Sequence, residues 1–115
     1  MYSAQFIFKP GTYDDEFYRL DGAIEKFVNT LPGFLGVEKW SNAEGDVKNH
    51  IYYFADKETL TTFSRFPDHL TAKGGVQRWY EGYEVIISEV NASYGDGKIP
   101  SIASAVKGKG TFYAG

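Results

Sequence analysis

The sequence of 115 residues contains no cysteine, so neither disulfides nor thiolate chemistry are available to this protein. It has only two histidines, His50 and His69. They lie nineteen positions apart and neither belongs to a His-x-x-x-His or Glu-x-x-His pair, which leaves a poor set of metal ligands. Glycine-rich phosphate-binding loops and serine nucleophile elbows are also missing. We therefore expect no bound metal, nucleotide or other cofactor.

An excess of basic residues and long apolar runs are missing too. Twelve Lys and Arg stand against 15 Asp and Glu, a formal charge of −3, so nucleic acid is not an expected partner. No apolar run approaches the ~20 residues that span a bilayer, and no charged-then-apolar segment opens the sequence as in a signal peptide. We expect a cytoplasmic protein that binds no membrane.

Aromatic residues, in contrast, are abundant. Nine Tyr, nine Phe and two Trp make up 17% of the chain. Large rings favour a well-filled core, a dimer interface or a ligand cleft. The length allows one domain with a single core.

Residue periodicity predicts a split β-α-β arrangement. Residues 2–9 alternate as a strand does, and Phe17, Leu20, Ile24, Phe27 and Leu31 form one apolar helical stripe. Thr12 and Asp15 have the spacing of a capping box that starts this helix, and Pro32-Gly33 ends it. The later elements are a hairpin of residues 34–41 and 47–55, a helix capped by Asp56, a break or new start at Pro67, a helical turn at residues 76–81 and a strand at residues 83–91.

The order β-α-β-β-α-β predicts an α+β, ferredoxin-like fold, with a four-stranded antiparallel sheet and helices on one face. Both faces of the fourth strand carry apolar groups, with Tyr83, Val85 and Ile87 on one side and Ile86 and Val90 on the other. An uncovered apolar sheet face favours a homodimer formed through the sheet, with a monomer as the alternative. Residues 96–115 have the composition of a disordered tail, or form an arm docked on a dimer partner or over the cleft.

Several motifs resemble the antibiotic biosynthesis monooxygenase-like family of dimeric α/β barrel proteins. They are residues 31–37, residues 53–56 leading to Phe63, Pro67-Asp68-His69, Trp79-Tyr80, residues 83–90 and Tyr94-Gly95. The resemblance covers residues 2–95. It implies a family domain in residues 1–95 and a C-terminal extension in residues 96–115.

The same resemblance implies a homodimer with a cleft between helices and sheet in each subunit. Members of the family include cofactor-independent oxygenases that act on anthrone-like polyketides or quinols, as well as heme-degrading enzymes. Fold alone does not choose among these functions. The heme-degrading pattern has an Asn on the first strand, a Trp on the second helix and a His ten residues later. Here the first strand has no Asn, and Phe63 and Lys73 occupy the other two positions.

His69 is the candidate catalytic base, because imidazole exchanges protons near neutral pH. Tyr80 is the second candidate catalytic residue, as a hydrogen-bonding partner of a substrate hydroxyl. Trp40, Tyr52, Phe63 and Trp79 are the candidate substrate-binding residues. The alternatives are structural: His69 packs a helix end, and the aromatic residues fill the core or a dimer interface.

The hypothesis is therefore a cofactor-independent monooxygenase-like homodimer that oxidises a small phenolic, quinol or polyketide-like aromatic molecule. A non-catalytic ligand-binding or stress-related homodimer is the alternative. Heme binding or degradation is a third possibility, which the three departures from the heme pattern oppose.

Overall fold

A computed structural model describes residues 1–107 of the chain. The strands are β1 (Tyr2–Pro10), β2 (Phe34–Ser41), β3 (Lys48–Phe54) and β4 (Tyr80–Glu89). The helices are α1 (Asp15–Val28), α2 (Lys57–Ser64), α3 (Pro67–Gly74), α4 (Val76–Trp79) and α5 (Ile102–Lys107). The strands form one sheet in the order β2-β3-β1-β4, and every neighbouring pair is antiparallel. The predicted α+β ferredoxin-like fold is confirmed.

Helix α1 begins two residues later than the capping-box spacing indicates. Its N-cap is Asp14, not Thr12: Asp14 is extended, and its Oδ1 accepts a hydrogen bond of 2.9 Å from the Phe17 backbone N–H. The helix ends at Val28, before Leu31. Thr30 caps this end of the helix: its hydroxyl donates a hydrogen bond of 2.6 Å to the Phe27 carbonyl.

The predicted cap of α2 is confirmed, because the Thr59 backbone N–H donates to Asp56 Oδ1 at 2.7 Å. Pro67 begins a new helix, α3, in the first turn where its missing N–H costs nothing. The fourth strand begins at Tyr80 rather than residue 83, directly after α4. Tyr80 pairs with Pro10 at a register shift in the β1–β4 ladder, so the chain is already extended there.

The main core lies between the sheet and the α1–α2 layer. Its cluster of buried residues is Val28, Phe54, Leu60 and Phe63. Tyr52 packs on this cluster, so alternate residues of β3 face the helices and Tyr53 faces the opposite side. The helix layer and sheet thereby enclose a space next to this core.

Helix α5 contacts the sheet face opposite α1. The Ile102 backbone N–H donates to Glu38 Oε2 at 2.8 Å, while Tyr53 Oη donates to Glu38 Oε1 at 3.2 Å. Gly36 has φ of 136°, and a Cβ there would lie 2.8 Å from Ile102 Cδ1. Residues 102–107 thus pack on β2 of their own chain. The rest of the predicted arm, residues 108–115, lies outside the described residues, and the domain boundary near residue 95 stays a prediction.

Candidate functional site

A cavity of about 440 Å³ lies between the helices and the sheet. Its lining comes from β1, α1, β3, α2, α3, α4 and β4, and it is mostly apolar. The titratable side chains that line it are Asp21, Tyr52, His69, Lys73, Tyr80 and Tyr83. An apolar pocket with a few converging polar groups is the usual form of a small-molecule site.

His69 lies in the first turn of α3 and lines this cavity. Its Nδ1 is 3.0 Å from the Phe63 carbonyl oxygen, and its ring centroid is 4.5 Å from that of Phe63. Since a carbonyl oxygen only accepts, Nδ1 carries the proton and Nε2 is the unprotonated nitrogen. Burial lowers the pKa of His69, the hydrogen bond to the Phe63 carbonyl opposes this shift, and the Lys73 ammonium adds to it. At neutral pH the imidazole is therefore an uncharged proton acceptor.

Three tyrosines line the cavity with His69, and two of them, Tyr52 and Tyr80, have phenols whose pKa is shifted. Burial raises the pKa of Tyr52 to about 12, and it raises the pKa of Tyr80 still further from the usual value. Both phenols stay protonated at neutral pH and are hydrogen-bond donors. The Tyr80 ring is held by edge contacts with Phe6 and Phe8, with centroids 5.1 and 5.2 Å away.

Trp79 and Phe63 are rigid walls of the cavity. Trp79 is 2% exposed, and its indole Nε1–H donates to Asp14 Oδ1 at 3.0 Å. The Arg78 guanidinium lies 4.5 Å from the centre of the Trp79 ring. Phe63 is also buried and lies 5.4 Å from the Tyr52 ring, so two predicted substrate-binding residues are in mutual contact.

Trp40 is the one predicted site residue that the structure does not bring to the cavity. It pairs with Asn49 across the β2–β3 ladder and is 51% exposed. Because strand residues alternate, Trp40 faces the side of the sheet away from α1, as does Glu38. The other five predicted site residues, His69, Tyr80, Tyr52, Phe63 and Trp79, all line one cavity.

Asp21 lines the cavity and was not predicted. It lies four residues after Phe17 and three before Ile24, within the apolar stripe of α1. A carboxylate at such a position was the available sequence signal. Burial is the main reason that the pKa of Asp21 is raised, with repulsion from Glu25 next, while Lys39 opposes the shift.

The comparisons with known proteins bear on the fold. No family model matches the chain, and no curated protein matches it by sequence. Among solved structures, SnoaB of Streptomyces nogalater, a cofactor-independent oxygenase, superposes with a TM-score of 0.61 at 13% identity, over 80% of this chain and 94% of that one. Rv0793 of Mycobacterium tuberculosis gives a TM-score of 0.63 at 14% identity, over 80% and 96%. A Nitrosomonas europaea protein described as a candidate antibiotic biosynthesis monooxygenase gives 0.59 at 15%, over 79% and 99%.

The fold is that of the antibiotic biosynthesis monooxygenase-like proteins. At these identities the similarity concerns the fold alone, and it confirms the structural part of the resemblance seen in the sequence motifs. Within this fold, the cavity offers an unprotonated imidazole nitrogen, protonated phenols and flat aromatic walls. Residues 1–107 contain no group of three or more His, Asp or Glu side chains placed to hold a metal ion. No helix in that part of the chain is long and apolar enough to cross a membrane.

Proposed function

We propose that this protein is a cofactor-independent oxygenase that acts on a small phenolic, quinol or polyketide-like aromatic molecule. The observation that carries the proposal is the hydrogen bond from His69 Nδ1 to the Phe63 carbonyl, inside an aromatic cavity. This bond orients the imidazole and leaves Nε2 as the base. The cavity also matches a flat substrate, since its walls are Phe63 and Trp79 and its volume is about 440 Å³.

The proposed reaction begins with proton transfer from a substrate hydroxyl or enol to His69 Nε2. The resulting phenolate or enolate gives one electron to molecular oxygen, and the substrate radical and superoxide combine into a peroxide, which takes the proton back from the imidazolium. In an anthrone-like substrate the peroxide then loses water, so that a CH₂ group becomes a carbonyl. Tyr80, a protonated phenol, donates a hydrogen bond to the substrate oxygen as charge develops there.

We also propose that the protein is a homodimer formed through the sheet face opposite α1. On this face Trp40 is 51% exposed and Ile86 is 39% exposed. Large apolar side chains left exposed on a sheet favour burial against a second copy. The resemblance in sequence to dimeric α/β barrel proteins supports the same arrangement.

The function is tested with the variant His69→Asn. The Asn amide nitrogen takes the place of Nδ1 and keeps a donor for the Phe63 carbonyl, but no base remains. Loss of a general base lowers the rate by about 10²- to 10⁴-fold, so oxygen uptake with hydroquinones or anthrones falls by at least about 100-fold. The measurement is oxygen consumption together with product detection.

His50→Gln is the matched control. His50 is the other histidine of the chain; it lies in β3, packs on Phe8 of β1 and does not line the cavity. We expect it to retain oxygen uptake within about threefold, a change well below the loss of a general base. Equal activity in His69→Asn and wild type contradicts the proposed base. Ligand stabilisation without product in the wild-type protein identifies the non-catalytic binding dimer instead.

A further inference from the structure

The carboxylate of Asp21 differs from those of Asp14 and Glu16 near the start of α1. Asp14 and Glu16 both form ion pairs with Arg78, at 3.5 and 3.0 Å. Within residues 1–107, no side-chain hydrogen bond or ion pair engages Asp21. Asp21 is exposed and nevertheless lines the cavity, which places it where the cavity meets solvent.

Three tyrosines from different parts of the fold lie close enough to this carboxylate for its charge to act on them. Burial is the main cause that raises the pKa of Tyr13, Tyr52 and Tyr80. The negative charge of Asp21 is the next cause for Tyr13 and Tyr52, and for Tyr80 it comes after the effect of Tyr13. Tyr13 precedes α1, Tyr52 lies in β3 and Tyr80 begins β4. Asp21 therefore projects toward the sheet, where it lines the cavity. Other charged groups near Asp21 are Glu25 and Lys39.

The cations near the cavity do not neutralise Asp21 inside it. Lys39 is exposed on β2 and does not line the cavity. Lys73 does line it, but its Nζ donates to the Ser64 carbonyl at 3.0 Å and to the Ser64 hydroxyl at 2.9 Å. The positive charge of Lys73 lowers the pKa of His69. The Asp21 carboxylate is thus left as a hydrogen-bond acceptor for a ligand that enters the cavity.

We propose that Asp21 determines the substrate specificity of the cavity: it accepts a hydrogen bond from a hydroxyl or ammonium group of an aromatic substrate and excludes substrates with a carboxylate at that position. This inference rests on the proposed function, because it takes the His69 cavity as the substrate site. The substrate class is therefore an aromatic molecule with two donor groups, one for His69 Nε2 and one for Asp21. A carboxylate in place of the second donor meets a like charge, and repulsion of this kind is a common source of discrimination.

The test uses three ligands that share a phenol ring and differ only in the para substituent. Hydroquinone carries a neutral hydroxyl, para-hydroxybenzoate carries a carboxylate and para-hydroxybenzylamine carries an ammonium group. Dissociation constants are measured by isothermal titration at neutral pH for wild type and for Asp21→Asn, which keeps the size of the side chain and removes its charge. Glu25→Gln is the control, because it removes one negative charge one turn further along α1 from a residue that does not line the cavity.

For wild type we expect hydroquinone to bind at least about tenfold more tightly than para-hydroxybenzoate, given a like charge near the second site. In Asp21→Asn this ratio falls to within about threefold, and para-hydroxybenzylamine binds about tenfold more weakly than in wild type. Glu25→Gln keeps the wild-type preference. Melting temperatures of all three proteins show that each is folded.

Two results overturn the inference. One is a wild-type preference that persists unchanged in Asp21→Asn. The other is tight binding of para-hydroxybenzoate that is lost in Lys73→Gln, since the carboxylate then lies beside Lys73. Either result removes only this inference and leaves the proposed function standing. If wild type binds none of the three ligands, the proposed function fails and the inference fails with it.

Discussion

Burial changes the acid–base properties of the cavity residues in opposite directions. It disfavours charge, so it lowers the pKa of His69 and raises the pKa of Tyr52 and Tyr80. At neutral pH the imidazole is a free base and the phenols are donors. A single physical cause, removal from water, thus gives one residue the role of proton acceptor and two residues the role of donor.

The pH profile of activity follows from the lowered pKa of His69. Neutral imidazole is the active form, so kcat/KM falls as His69 becomes protonated at acid pH. The midpoint of this fall lies below pH ~6.5, the ordinary pKa of histidine. Lys73→Met removes the nearby positive charge, so the pKa of His69 rises and the acid limb moves to higher pH. The measurement is kcat/KM for oxygen uptake between about pH 4.5 and 8. An acid limb centred above pH 6.5 in wild type, or one unmoved in Lys73→Met, contradicts the assignment.

His69 also makes the folding stability fall at acid pH. Because the pKa of His69 is lower in the folded chain than in the unfolded chain, protons bind the unfolded chain preferentially in this range. The contribution of His69 to stability is complete above the unfolded pKa of about 6.5 and is lost as the pH falls toward the folded pKa. Activity and stability therefore decline together on the acid side.

Among the secondary-structure elements, the contact between α1 and α4 holds the cavity wall. Asp14 accepts hydrogen bonds from the Phe17 backbone and the Trp79 indole, and it pairs with Arg78. The Gly11 backbone N–H also donates to the Trp79 carbonyl at 2.8 Å. Asp14 thus caps α1 and also holds α4 in place, the short helix that ends at Trp79 directly before Tyr80 of β4.

Asp14→Ala is expected to lower the melting temperature by about 5 °C, because it removes a helix cap and leaves the indole N–H without its acceptor. Asp15→Ala is the control: Asp15 lies one position later in α1 and makes none of these contacts, so its melting temperature stays within about 2 °C of wild type. The measurement is thermal unfolding by circular dichroism. Equal losses in both variants contradict the link between α1 and α4, and hydroquinone affinity that falls only in Asp14→Ala supports it.

For the whole molecule, the two sheet faces have different surroundings. One face meets α1–α3 and the cavity, while the other carries α5 on β2 and leaves Trp40 and Ile86 exposed. This second face is where we propose the homodimer interface. Helix α5 covers only the part near Glu38 and Tyr53, so Ile86 lies on the part available to a second copy.

Ile86→Glu is expected to convert the dimer to a monomer, since a carboxylate buried in an apolar interface without a partner costs several kcal/mol. Leu70→Glu is the control: Leu70 is a comparably exposed apolar residue, 52%, but it lies on α3 and away from the open sheet face. Molar mass is measured by size-exclusion chromatography with light scattering. A wild-type protein of 12.9 kDa in solution contradicts the homodimer, as does a dimer that survives Ile86→Glu.

Much of the fold was predictable from local pattern. The stripe of α1, the Asp56 cap and the hairpin of β2 and β3 depend on residues close together in the sequence, and all were confirmed. The Asp14 cap and the start of β4 at Tyr80 were not predicted. Asp14 is also bound by the distant Trp79 indole, and Tyr80 pairs with the distant Pro10. Five of the six candidate site residues share one cavity. Trp40 does not, since strand alternation sends it to the other face.

The sequence by itself determined the element order, the fold class and the presence of a histidine among aromatic residues. Periodicity and turn residues encode these features locally. Only the tertiary structure decided which nitrogen of His69 is the base, since that depends on the Phe63 carbonyl six residues away across two helices. It also decided that Asp21 joins the cavity and that α5 packs behind the sheet. Such features arise from contacts between distant segments, which no local pattern specifies.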